Sequence, residues 1–144
     1  MSATLESLTA RIAALLQDAT HLVYPADACT EGLRQALSGL SAASGQTITL
    51  AGLDGITETS LPAGLESLAV EAAAAYTISG RALRHAEQPD LAPDGLNPAA
   101  LNWAEIVLAR FRQACERLRG AALRGGCVPW GDCLLYTSDA ADEE

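Results

Sequence analysis

The stretch NPAALNWAEIVLARFRQACERLRGAAL, residues 97–123, decides the fold class. Asn97 offers a side-chain oxygen to the unbonded amides of a first helical turn, and Pro98 stands where its missing N–H does no harm. From there Leu101, Ala104, Leu108, Phe111, Cys115, Leu118 and Ala122 recur at alternating steps of three and four residues. Such spacing lays a narrow apolar seam along one long helix, in the manner of a bundle or coiled coil. The other faces carry Arg110, Arg112, Arg117, Arg119 and Arg124, five of the nine basic residues in the chain.

Upstream, the same period recurs. Leu5, Leu8, Ile12, Leu15 and Leu16 predict an amphipathic helix from about Thr4 to Asp18, capped by Ser2 or Thr4. Pro25 then interrupts the pattern, and Asp27 supplies a capping oxygen for a second helix from about Ala28 to Ala43, with Cys29, Leu33, Ala36, Leu37 and Leu40 inward. Gly32 inside that helix costs about 1 kcal/mol relative to alanine. A third helix starts near Ala63 and ends before Pro89, with Leu65, Leu68, Ala69, Ala72, Tyr76 and Leu83 as its buried stripe. Its run from Ala72 through Ala73 to Ala75 is smooth, which lets a neighbouring helix approach closely, within one subunit or between two.

Between helices two and three the helical period gives way to β-branched residues around Asp54-Gly55, a dipeptide that favours a two-residue type I′ turn. The expectation is a β-hairpin, Thr47 to Leu53 against Ile56 to Leu61. Neither of its faces is cleanly apolar, so it is marginal alone and leans on the helices or on a neighbouring subunit's edge. Few apolar residues anchor its tip, which is expected to be mobile. The predicted fold is therefore mainly α: a single four-helix bundle-like domain over residues 1–124 with a β-hairpin between helices 2 and 3, then an irregular tail over 125–132.

Composition supports helices. The 144 residues include 29 alanines and only six aromatics, and alanine brings helix propensity rather than buried area. A net charge of -9, with nine arginines and no lysine, argues against a broad basic face for nucleic acid. The first residues lack the pattern of a secretory signal, no apolar run is long enough to span a bilayer, and no membrane partner is expected.

Motifs that would carry catalysis are not found. The glycines of LAGLDG lack the spacing of a phosphate-binding loop and precede ITETS rather than a helix start. Cys29, Cys115, Cys127 and Cys133 form neither a CxxC pair nor a zinc-ligand spacing with histidine, so no metal, cofactor or disulfide framework is expected. His21 falls in a loop and His85 near a helix C-terminus, each without a partner at ligand spacing. Glu66 with Glu71, and Asp90 with Asp94, fit solvated acids better than an acid–base pair. The arginines of the long helix have two readings. They compensate the helix dipole and pair locally, as Glu116 with Arg112 or Arg119; or Arg110, Arg117 and Arg124, seven residues apart, meet acidic surface on another chain.

The order of parts, LTARIAALLQDATHLVYPADACTEGLRQALSGLSAASG, a short hairpin, an alanine-rich helix, a loop and LNWAEIVLARFRQACERLR, resembles the head-tail connector or adaptor proteins of tailed bacteriophages and prophages. The likeness rests on Leu15-Leu16-Gln17-Asp18 closing the first helix, on Tyr24 in the loop and on Ala36-Leu37 in the second helix, and covers about residues 5 to 119. It implies a noncatalytic virion protein, made in a bacterial host's cytoplasm and sited in the neck. There it assembles as a ring on the portal, meets tail or neck proteins, and has DNA only as passing cargo. Candidate interface residues are Arg110, Arg117, Arg124, Ala72, Ala73, Asp54 and Gly55. Its rivals are a helical protein-protein adaptor or regulator outside any virion and, third, a small hydrolase or transferase using His21 or His85.

The last stretch differs in kind. CLLYTSDAADE, residues 133–143, back-translates into a transposase-type sequencing adapter, so residues 133–144 are expected to be a disordered library artefact on a metagenomic fragment whose native frame continues past Asp132. Without it the chain carries -5.

Overall fold

Thr4 begins the first helix as expected. Its side chain accepts the amide of Ser7 at 3.2 Å while Ser7 Oγ accepts the amide of Thr4 at 2.9 Å, a reciprocal cap for α1, Leu5–Leu15. α1 ends on Gln17, held in the left-handed region at φ 56, with Asp18 N–H bonded to Ala13 O and Gln17 N–H to Ala14 O. That is a Schellman closure with glutamine where glycine is usual. In this computed structural model, which describes residues 2–87 and 97–125, three further α-helices follow: α2, Ala26–Ser44; α3, Glu66–Glu87, entered through a single 3-10 turn at Ala63–Leu65; and α4, Pro98–Gly125. The expected loop over 89–96, residues 126–132 of the expected tail and the adapter-like segment 133–144 lie outside the described residues.

Asp27 does not cap α2. The helix starts two residues earlier than expected because the Pro25 carbonyl already accepts from the amides of Ala28 and Cys29, which places Asp27 inside the first turn. Asn97 does cap α4, accepting the Ala99 amide at 2.9 Å.

The four helices pack as one mainly α domain. Ala28 and Gly32 of α2 lie against Thr77 and Ala73 of α3, so these two run antiparallel. Glu71 faces Arg110, and Ile78, further along α3, lines one hollow with Ala100 and Trp103, earlier on α4, so these two are antiparallel as well, and α2 and α4 are parallel. α3 is the central member, and Ala69 and Ala72 to Ala75 are fully or almost fully buried. Phe111 crosses from α4 to stack edge-on against Tyr76 at 6.2 Å between ring centres. Leu83, expected in the buried stripe, is 62% exposed, because burial along α3 stops at Ile78. Ala122, expected on the seam of α4, is exposed for a related reason. Cys115 stands level with Gly39, and α4 runs ten residues beyond it while α2 has five left. At 1.5 Å per residue the end of α4 overreaches α2 by about 7 Å.

The hairpin is the main correction. No β-strand occurs among the described residues, although the Asp54-Gly55 turn forms as expected, with φ 52 and 78 and Ile56 N–H bonded to Leu53 O. Gly52, at φ 92, bends the chain just before the turn, so Gly52 rather than Leu53 donates to Ile56 O and the ladder loses its register. Hydroxyls then replace backbone partners: Ser60 Oγ accepts the Thr49 amide, and Thr59 Oγ1 accepts the Ala51 amide. The Ala51 carbonyl accepts instead from Leu5, in one isolated parallel bridge to the start of α1. Leu50, Leu53 and Leu61 are buried, which converts the segment into a packed loop lying on the helices.

Candidate functional site

Two surface features stand out, at opposite ends of the bundle. The first is the outer face of α4. Arg110, Arg117 and Arg124 lie along one exposed stripe, as their spacing predicts. α4 holds five arginines against Glu105 and Glu116, a net of +3, while residues 2–87 hold nine acids against four arginines, a net of -5. Arg110 approaches Glu71 of its own chain at 3.9 Å; Arg117 and Arg124 have no ion pair among the described residues. Arg119 pairs with Glu116 at 2.8 Å, one of the two local pairings expected, whereas Arg112 turns to the carbonyl of Leu108.

The remaining sequence-predicted interface residues are placed differently. Ala72 and Ala73 are fully buried, and at Ala73 the close approach is used inside the chain, by Gly32 of α2. Asp54 is held by both oxygens, from Arg34 Nη2 at 2.8 Å and Nε at 3.1 Å, and Glu31 shares the same guanidinium. Hydrogen bonding to Arg34 holds the Asp54 carboxyl below its usual range, in an exposed contact between the tip and α2.

The second feature is a cleft of about 520 Å³ between the first half of α2 and the last turns of α3. One wall carries Asp27 and Glu31, the other Arg81, Arg84 and His85, and Tyr24 closes one end. Gly80 also lines it, and a Cβ there would meet nothing within 4 Å. Arg81 is fixed in place: its Nη1 donates to Val23 O at 2.7 Å and its guanidinium sits 5.7 Å over the Tyr24 ring. Desolvation raises the Tyr24 hydroxyl above its usual pKa.

The loop that forms this end is organised by Asp18, which the sequence marked as the close of the first helix but not as an acceptor for the loop. Its carboxylate accepts the amides of Leu22, Val23 and Tyr24 at 2.9, 3.0 and 2.7 Å. The Tyr24 amide contributes most to holding the Asp18 pKa below the usual carboxylate range. An aspartate just past a helix end and ahead of a proline was the available signal, but its three acceptances span residues that no periodic pattern links. His21, at φ 53, places Nδ1 3.0 Å from Tyr24 O, and since a carbonyl only accepts, Nδ1 carries the proton. His85 lines the cleft instead.

Cys29 is fully buried and Cys115 half-buried, and desolvation pushes both thiols up, away from the reactive thiolate. Among the described residues no three His, Cys, Asp or Glu side chains gather as a metal site, and no helix is long and apolar enough to cross a membrane. Compared with protein families, with curated proteins and with solved structures, the chain matches none.

Proposed function

We propose that the chain is a noncatalytic structural protein of a tailed-phage particle, a head-tail connector or adaptor that assembles copy against copy as a ring on the portal and meets tail or neck proteins on its other side. One observation carries the proposal: an exposed arginine stripe, Arg110, Arg117 and Arg124, on a helix of net +3 that overreaches a bundle of net -5. Opposite signs segregated to different parts of one subunit favour oriented contacts between identical subunits. The order of helices and the Leu15-Leu16-Gln17-Asp18 segment support the same reading.

The test mixes the purified chain with portal rings and follows ring formation by native mass spectrometry and negative-stain imaging. Rings carrying bound chain are expected. A chain that stays monomeric and ignores portal rings overturns the proposal. The cleft between α2 and α3 favours a second reading, a helical adaptor outside any virion, which predicts a 1:1 complex with a nonviral partner helix.

A further inference from the structure

The geometry points to the cleft between α2 and α3 as the socket for the projecting end of α4 from a second copy of this chain. This rests on the reading that copies associate, and it adds which surfaces meet.

Position comes first. The cleft is built from the N-terminal half of α2 and the C-terminal half of α3, at one end of the bundle. The overreaching turns of α4 stand at the other end, beyond the level of Gly39. A knob at one end and a socket at the other make a head-to-tail contact, which repeats from copy to copy and closes into a ring when the rotation allows.

Charge comes second. Arg117 and Arg124 are seven residues apart and share one stripe; Glu116 and Leu123 share the neighbouring stripe, turned by about 100°. The cleft is two-signed in the same way, with Asp27 and the Arg34-bonded Glu31 on the α2 wall and Arg84 with His85 on the α3 wall. A seated helix end therefore sets its arginines against the acids while Glu116 faces the basic wall. Between these stripes stands Gly120, where a Cβ would meet only the far end of Arg124 at 3.7 Å, and across the cleft Gly80 is open, so backbone approaches backbone. Leu123, 60% exposed in the single chain, loses water on seating.

Two full-length double variants test the contact on portal rings: Arg117→Glu with Arg124→Glu, and Asp27→Arg with Glu31→Arg. Each alone is expected to weaken copy-to-copy association at least tenfold with wild-type helicity and melting, and mixing the two is expected to restore it. Independently, in chains carrying Cys127→Ser and Cys133→Ser, mixed Gly80→Cys and Gly120→Cys are expected to form a disulfide between copies at least tenfold faster than Glu58→Cys mixed with Gly120→Cys. If the wild type assembles while both double variants assemble equally well, or if the two cross-links form at equal rates, the socket is refuted and the ring reading stands. If the wild type never associates on portal rings, both fail.

Discussion

Gly32 and Ala73 meet across the α2–α3 contact so closely that a Cβ on Gly32 would lie 2.4 Å from the Ala73 carbonyl oxygen and 2.6 Å from Thr77 Oγ1. Backbone cannot yield as a flexible side chain does. Gly32→Ala, which gains about 1 kcal/mol of helix propensity, is therefore expected to lose about 1–3 kcal/mol through overpacking. Urea unfolding checks the sign: a more stable alanine variant would show that α2 and α3 are not held this close.

Gln17 occupies a left-handed position that costs a side-chain-bearing residue about 1–2 kcal/mol. Gln17→Gly keeps both closing hydrogen bonds and is expected to raise stability by about 1 kcal/mol, less the added freedom of the unfolded chain. A lowered thermal midpoint would contradict the Schellman closure at φ 56.

Asp18 links stability to acid. Its folded pKa lies below the ordinary carboxylate value of 3.8, so its contribution is fully present above that value. It is lost as the pH falls through the depressed folded pKa. Asp18→Asn, with one acceptor oxygen in place of two, is expected to destabilise at neutral pH and to flatten the acid limb of the stability curve. Identical acid limbs for variant and wild type would remove Asp18 from this role.

Arg34 anchors the Asp54 turn from an exposed position, so its effect is expected to be local. Arg34→Ala should speed amide exchange at Gly52 and Ile56, whose N–H groups close the turn, while the global melting point barely moves. Unchanged exchange at both amides would mean that the buried Leu50 and Leu53 hold the loop unaided.

The candidate site was legible in proportion to how local its parts are. Arg110, Arg117 and Arg124 share one stripe because seven residues make nearly two helical turns, a relation available in any printed sequence. The cleft was not legible, since Asp27 and Arg84 face each other only once α2 has packed on α3 at Gly32. That glycine registered as a cost within its own helix and proves to be the contact that brings the walls together.

What the sequence by itself determined is what neighbouring residues decide together: four helices, the Asn97 cap, the Asp54-Gly55 turn and the exposed arginine stripe. Each depends on bonds or faces formed within a few residues. The tertiary structure decided the rest. It buried Ala72 and Ala73 within the chain, exposed Leu83, and denied the expected hairpin its ladder. Packing Leu50, Leu53 and Leu61 onto the helices, with the bend at Gly52 and the Ala51 carbonyl drawn to Leu5, outweighed the pairing that β-branched residues alone predict.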